Sequence, residues 1–180
     1  MIYVFLADGF EEIEAICAVD VLRRAECSVN TVSVLDSRTV TGAHGIKVVA
    51  DIDYKDIVLE EIEAIVLPGG MPGVLNLENS QAVNKAIDYC NNNSKYIAAI
   101  CAAPSILGKK GLLKDISATC FPGFENDLIG SKLSSSYMCV DKNIITAKGP
   151  GMSIEFALEI VKIMFGKEKS EEIRKSMQCR

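Results

Sequence analysis

The amino-acid sequence predicts a doubly wound α/β fold, a mostly parallel sheet with helices on both faces and a small β-hairpin. Short apolar runs alternate with segments of helical spacing, which is typical of a parallel sheet that is buried on both sides. The chain has 180 residues, of which 49% are hydrophobic and 24% are charged, and this composition argues against disorder. No repeat or linker divides the sequence, so we predict one domain over residues 1–180.

The predicted elements follow from these two periodicities. We predict strands at Ile2–Ala7, Val29–Leu35, Ala64–Leu67, Tyr96–Ile100, Ile116–Cys120, Tyr137–Val140 and Ile144–Ala147. We predict helices at Glu11–Ala25, Gln81–Asn91, Pro104–Lys109, Met152–Phe165 and Ser170–Met177. Residues Thr39–Ala50 form the predicted hairpin, with glycines near its turn. In a doubly wound sheet, ligands bind beyond the carboxyl ends of the strands, where residues 8–14, 68–73 and 101–104 are expected to converge.

Charge and composition exclude several classes of function. The net charge is −5 and no basic run exceeds two residues, which argues against nucleic acid or an anionic membrane as a partner. The longest apolar run, residues 97–103, is far shorter than the roughly 20 residues of a membrane span, and we expect a cytoplasmic protein. The seven cysteines form no CxxC pair, and His44 is the one histidine. We therefore predict free thiols and neither a metal nor another cofactor.

Cys101 stands out among the cysteines because it lies where a predicted strand turns directly into a helix. Small alanines surround it in residues 98–104, as such a turn requires, and the same device presents the nucleophile in hydrolase elbows. The start of a helix favours a thiolate. The backbone N–H of Ala102, together with one from Gly69 or Gly70, is a candidate oxyanion donor. The alternative is an ordinary buried cysteine of the core.

Glu14 is the candidate partner of this thiol. Glu11 and Glu12 are expected to be solvated charges that complement the dipole of the first helix. Apolar residues flank Glu14, and a carboxyl group at the edge of the core would be protonated more often and could donate a hydrogen bond to a thiolate. The alternative is a third surface glutamate.

Four motifs together resemble the ThiJ/PfpI superfamily, a class I glutamine amidotransferase-like domain, and in particular its DJ-one and bacterial ThiJ/YajL branch. They are Ala7–Glu14, Val66–Gly70, Ala98–Pro104 and Lys148–Leu158. The resemblance implies a flavodoxin-like fold and a homodimer. It implies that Cys101 is the reactive, easily oxidised cysteine and that Glu14 is the protonated glutamate beside it. It further implies that Gly70 and Ala102 surround the oxyanion pocket and that Pro150 belongs to the loop that helps to wall it.

The sequence departs from the family pattern at several positions. Ala102 stands where protease-like members carry a histidine, so a Cys-His pair is missing and peptidase activity is not expected. Some relatives carry a histidine in the segment that corresponds to residues 130–133, where Lys132 is the nearest match. Ala103 replaces the usual glycine. His44 falls on the hairpin, where relatives often carry an arginine, and it is either a ligand contact or a surface turn residue.

The resemblance implies two main functions. The first is cofactor-free glyoxalase or deglycase chemistry on methylglyoxal or its adducts, with Cys101 as nucleophile and Glu14 as acid and base. The second is an oxidative-stress sensor or chaperone-like protein that works through oxidation of Cys101, and an inert structural member is a third alternative. We expect the dimer surface near Ile16–Cys17 and Ile46–Val49. Cys120 is a further candidate for the rim of the site.

Overall fold

The fold is described by a computed structural model that covers residues 1–179. Its strands, in chain order, are β1 (Ile2–Leu6), β2 (Val29–Ser33), β3 (Thr39–Thr41), β4 (Lys47–Val49), β5 (Ile52–Asp53), β6 (Ala64–Leu67), β7 (Tyr96–Ile100), β8 (Ser117–Ala118), β9 (Lys132–Leu133), β10 (Met138–Asp141) and β11 (Ile144–Ala147). Its helices are α1 (Glu12–Arg24), α2 (Gly73–Asn79), α3 (Gln81–Asn92), α4 (Pro104–Lys109), α5 (Ser153–Phe165) and α6 (Lys167–Ser176).

The central sheet has seven strands in the order β10-β11-β7-β6-β1-β2-β5. Every neighbouring pair is parallel except β10 and β11, so the antiparallel strand lies at one edge. Side chains alternate between the two faces: Val4 and Leu6 of β1 pack on one side, and Tyr3 and Phe5 pack on the other. Helices α1, α5 and α6 cover the first face, while α2, α3 and α4 cover the second. The predicted doubly wound, flavodoxin-like architecture is confirmed.

Several short elements differ from the prediction. The predicted strand at residues 116–120 shrinks to β8, which leaves the main sheet and pairs with β9. Strands β5, β8 and β9 have two residues each, too few for an alternating pattern to be recognised. Helix α2 follows the Pro-Gly-rich loop and was not predicted. Helix α6 begins at Lys167 rather than Ser170, because Gly166, at a φ of 91°, separates it from α5.

The strand order determines where the loops meet. Strands β7, β6 and β1 lie side by side and parallel, so the segments after their carboxyl ends share one edge of the sheet. The backbone N–H of Glu11 donates to the carbonyl of Gly69 over 2.9 Å and joins two of these loops. The three loops that were predicted to converge at the ligand-binding edge of the sheet therefore lie next to one another. Among residues 1–179, no helix has the length and apolar character that crossing a membrane requires.

Candidate active site around Cys101

Cys101 occupies a left-handed turn immediately after β7, with a φ of 64°. Such a conformation is uncommon for residues other than glycine and concentrates at functional sites. The turn is held on both sides, because the Cys101 N–H donates to the carbonyl of Ala147 and the Cys101 carbonyl accepts from the N–H of Phe121, each over 2.8 Å. The side chain remains half-buried and thus partly accessible. This is the elbow geometry that presents a nucleophile.

Glu14 lies in the first turns of α1 and is fully buried, so it is not a surface glutamate. Its Oε2 accepts a 2.6 Å hydrogen bond from the backbone N–H of Gly69. Its Oε1 is buried and has no hydrogen-bond partner of standard geometry among residues 1–179. A buried carboxyl oxygen without a partner is costly, and it remains available to a group that enters the site.

Gly69 brings the carboxyl and the thiol together because it has no side chain. A Cβ at this position would lie 2.5 Å from the Cβ of Cys101, 2.8 Å from Oε2 of Glu14 and 3.0 Å from Sγ of Cys101. All three separations are shorter than van der Waals contact. A larger residue would therefore displace one of the two functional groups, and the glycine is required by close approach rather than by backbone conformation.

The carboxyl and the thiol perturb one another. Burial raises the pKa of Glu14 from 4.5 to about 7, with a smaller contribution from the charge of Glu11, although hydrogen bonds from Gly69 and the Cys101 thiol oppose the shift. Burial and then the charge and hydrogen bonding of Glu14 raise the pKa of Cys101 to about 12, against the N–H groups of Ala102 and Gly70. The thiol is thus close enough to interact with the carboxyl, although their contact falls outside standard hydrogen-bond geometry.

The expectation that a helix start favours the Cys101 thiolate is wrong for the free site, since the pKa of the thiol is raised. Helix α4 has only six residues and begins three positions after the cysteine, so its dipole is weak. The burial of the thiol, followed by the charge of Glu14, outweighs it. Both groups resist ionising together, so the pair carries at most one negative charge at neutral pH. The thiol interacts with an ionised Glu14, or a protonated Glu14 donates to a thiolate.

The structure brings together five of the six predicted site residues: Cys101, Glu14, Gly69, Gly70 and Ala102. The sixth, Pro150, lies farther out, where its carbonyl accepts a 2.7 Å hydrogen bond from Oγ of Ser153. It lines a shallow depression of about 330 Å³ with Phe121, Tyr137 and neighbouring residues. Because the Phe121 N–H donates to the Cys101 carbonyl, this depression adjoins the elbow, but Pro150 makes no hydrogen bond to the thiol pair.

Two further candidates lie outside the site. Lys132 is exposed on β9, where its N–H donates to the Ile116 carbonyl. Cys120 is buried in the core cluster beneath α4 and is not at the rim, and burial raises the pKa of its thiol to about 11. The prediction of a rim position for Cys120 is therefore wrong, because the side chain that follows it, Phe121, is the one that faces outwards.

Glu12 is buried, contrary to the expectation that it is a solvated charge. Its Oε1 accepts from the backbone N–H of His44 over 2.8 Å, and its Oε2 lies 2.9 Å from Nδ1 of the same residue. Burial acts to raise the pKa of Glu12, but these hydrogen bonds hold it below its ordinary value. The hydrogen bond to Glu12 raises the pKa of the exposed His44 ring, and the nearby Glu11 charge adds to this.

Within residues 1–179, the carboxylates of Glu11 and Glu12 and the ring of His44 are the one grouping of three or more side chains of metal-ligating type. Their ligand atoms lie within 4.8 Å of one another. The oxygens of Glu12 are already engaged by the hairpin. The sequence did not indicate this hairpin contact or the backbone groups of Ala147 and Phe121. The structure explains why residue 42 is a glycine, because a Cβ there would lie 2.3 Å from Oε1 of Glu12.

The chain is similar to known proteins in sequence and in fold. The sequence profile of the DJ-1/PfpI family matches residues 1–163. The chain belongs to the DJ-1/PfpI family. It is 37% identical over 171 residues to "Protein DJ-1 homolog A" of Arabidopsis thaliana, which covers 93% of this chain and 44% of that protein, so the chain spans less than half the length of this relative.

Two other family members match over most of their lengths. "Glutathione-independent glyoxalase DJR-1.2" of Caenorhabditis elegans is 31% identical over 169 residues, which cover 93% of this chain and 89% of the relative. The solved structure "Toxoplasma gondii DJ-1, oxidized" superposes with a TM-score of 0.94 at 34% identity and covers 99% of this chain and 97% of that one. The fold and the family assigned from the four motifs are thus confirmed.

The raised pKa of Glu14 makes the stability of this family member depend on pH. In the folded chain the carboxyl holds its proton up to a pKa of about 7, against an ordinary value of 4.5. This contribution to the free energy of unfolding is complete below pH 4.5 and is lost as the pH rises to 7. It amounts to roughly 3 kcal/mol.

We predict that Glu14→Gln removes this pH dependence of the free energy of unfolding, measured by urea unfolding between pH 4.5 and 7. The exposed Glu60→Gln should keep it, and parallel pH profiles for wild type and Glu14→Gln would contradict the prediction.

Proposed function

We propose that this chain is a cofactor-free, cysteine-dependent enzyme with glyoxalase- or deglycase-type activity on methylglyoxal or its adducts. The observation that carries the proposal is the Cys101 thiol beside the buried carboxyl of Glu14, with the backbone N–H groups of Gly70 and Ala102 facing the sulfur. This combination supplies a nucleophile, an acid and base, and donors for a developing oxyanion. The glyoxalase name of the Caenorhabditis elegans relative supports this choice of reaction.

The proposed reaction begins when the Cys101 sulfur attacks the aldehyde carbon of methylglyoxal. Ionised Glu14 takes the thiol proton as the C–S bond forms and the carbonyl π electrons move to oxygen, and it returns that proton to the oxygen to complete the hemithioacetal. Glu14 then removes the proton from the former aldehyde carbon, and the hydroxyl proton of that carbon passes to the neighbouring ketone oxygen. Glu14 delivers its proton to the adjacent carbon, which gives a lactoyl thioester. Water hydrolyses the thioester to lactate and regenerates the thiol. The sum is methylglyoxal and water to lactate, with no external oxidant or reductant.

The position of the histidine supports this reaction over peptide hydrolysis. A cysteine peptidase needs an imidazole that activates the thiol and protonates the leaving amine. The single histidine of the chain, His44, is hydrogen-bonded to Glu12, and Ala102 follows the cysteine. A carboxyl whose pKa is about 7 can instead exchange a proton with carbon acids at neutral pH.

The decisive experiment follows lactate formation from methylglyoxal by wild type, Cys101→Ser and Glu14→Gln. We predict turnover by wild type and a loss of at least about 100-fold in both variants, because each lacks a group that every cycle needs. Cys27→Ser, which changes a buried thiol far along the chain from the elbow, is the matched control and should retain activity. Equal lactate formation by all four proteins would overturn the proposal.

A second candidate function is sensing of oxidants through Cys101. This function is supported by the partial accessibility of the Cys101 side chain. It is also supported by the backbone N–H groups of Gly70 and Ala102, which can donate hydrogen bonds to an oxidised, negatively charged sulfur. The relative from Toxoplasma gondii was solved in a state that its title calls oxidized. Each peroxide molecule would transfer one oxygen to the sulfur, first to the sulfenic and then to the sulfinic acid, and leave as water.

Mild peroxide treatment tests this second function. We predict that mass spectrometry finds Cys101 oxidised before the six other cysteines; Cys90 and Cys120, for example, are buried. Earlier oxidation of Cys17 or Cys179, which are also half-buried, would count against a sensing role. Glu14→Gln should slow the step from sulfenic to sulfinic acid, because its carboxyl can no longer exchange a proton.

We also propose that the chain is a homodimer. Ile13 and Ile16 of α1 are 58% and 40% exposed, and Ile46 and Val49 of the hairpin, which α1 contacts through Glu12, are 58% and 68% exposed. Grouped exposed apolar side chains are typical of an interaction surface. We predict that sedimentation analysis finds a dimer and that the double variant Ile16→Glu, Val49→Glu is monomeric. Leu133→Glu, at an equally exposed position on β9, should leave the dimer intact. A monomeric wild type would contradict the proposal.

A further inference from the structure

We propose that Glu12 is a positioning residue for the Cys101 site, which it reaches through the backbone of two loops without touching the thiol. Its carboxylate holds the hairpin loop, defined as residues 41–46, against the first loop, residues 8–11. The first loop in turn holds Gly69 and Gly70. The inference deepens the proposed function and rests on it for one of its two experimental readouts.

The contact between Glu12 and the hairpin loop is specific. The carboxylate is buried and accepts backbone hydrogen bonds from His44 over 2.8 Å and from Ile46 over 3.4 Å. It fills the space that Gly42 leaves, since a Cβ on Gly42 would lie 2.3 Å from Oε1 and 2.4 Å from Cδ of Glu12. A buried charge that binds backbone N–H groups fixes their positions strongly, because each N–H would otherwise lose its partner.

The hairpin loop is in turn bonded to the first loop. The N–H of Gly9 donates to the Thr41 carbonyl, and the N–H of Ala43 donates to the Phe10 carbonyl, each over 2.8 Å. Oδ1 of Asp8 accepts a further 2.8 Å hydrogen bond from the N–H of Thr41. The first loop therefore lies between the hairpin loop and the rest of the molecule, with backbone bonds on its outer side.

On its inner side, the first loop contacts the segment that contains Gly69 and Gly70. The Glu11 N–H donates to the Gly69 carbonyl over 2.9 Å. The two segments are so close that a Cβ on Gly70 would lie 2.4 Å from the Glu11 nitrogen and 2.5 Å from the Gly9 carbonyl oxygen. Gly69 donates to Glu14, and the N–H of Gly70 faces the sulfur of Cys101. A shift of the first loop would therefore move both donors.

Asp51 provides a matched control for the role of Glu12. It is also a carboxylate that ties the hairpin to the body of the protein, since its Oδ2 accepts from the N–H and the Oγ1 of Thr31 and from Arg23. It acts at the other end of the hairpin, beside the strand β2. Glu12→Gln and Asp51→Asn thus remove equivalent charges, but only the first lies on the path to Gly69 and Gly70.

The experiment measures the rate at which iodoacetamide modifies Cys101 as a function of pH, with all seven cysteines resolved by mass spectrometry. We expect Glu12→Gln to lower the rate about tenfold across the neutral pH range. Gly42→Ala should act in the same direction, because it disturbs the same contact from the hairpin side. Asp51→Asn should leave the rate unchanged. The fully buried Cys90 should stay unmodified in every variant, which excludes general unfolding.

Amide NMR provides the second readout, which does not depend on reactivity. We expect Glu12→Gln to shift the amide resonances of Gly69 and Gly70 and Asp51→Asn to leave them in place. Unchanged Gly70 resonances, or equal effects of Glu12→Gln and Asp51→Asn on the Cys101 profile, would overturn the inference. If Cys101 is unreactive in wild type at every pH, the proposed function fails, and the glycine resonances alone decide whether Glu12 positions this loop.

Discussion

The burial of the Glu14 carboxyl between the Gly69 N–H and the Cys101 thiol is the interaction on which the rest of the site depends. A charge in that place has little solvent to stabilise it, so at neutral pH the carboxyl and the thiol carry at most one negative charge between them. Gly69 must be a glycine because any side chain would separate the pair. The left-handed turn at Cys101 is held from both neighbouring segments because the sulfur has to stand opposite that carboxyl.

Helix α1 connects this buried pair to the surface. Residues two positions apart on a helix point in nearly opposite directions, so Glu12 and Glu14 leave the first turn of α1 on different sides. Glu14 enters the thiol site, and Glu12 binds the hairpin loop. The burial of both carboxylates, one with a raised and one with a lowered pKa, follows from what each one meets: a nearly apolar cleft for Glu14 and several N–H donors for Glu12.

Sequence reasoning reached the architecture and the central pair because both leave local signals. The alternation of apolar strands and helices specifies a parallel sheet, and the alanine-rich turn singles out Cys101. The burial of Glu12 left no such signal, because it depends on a hairpin whose partner atoms lie 32 residues away in the chain. Strands β5 and β9 were missed since two residues cannot show a period. The raised pKa of the thiol was missed since a sequence does not show how much solvent a turn retains.

The same groups take part in both proposed functions, catalysis and oxidant sensing, and the protonation state of Glu14 distinguishes the two. An oxidised sulfur is a fixed anion, and it is stabilised best by a carboxyl that keeps its proton at all times. Turnover of a dicarbonyl compound requires the opposite, because the carboxyl must donate to one atom, accept from another and return to its starting state in each cycle. With a pKa of about 7, Glu14 populates both protonation states at neutral pH, and general acid-base catalysis is most effective under that condition. Of our two proposed functions, we therefore prefer the enzyme to the sensor.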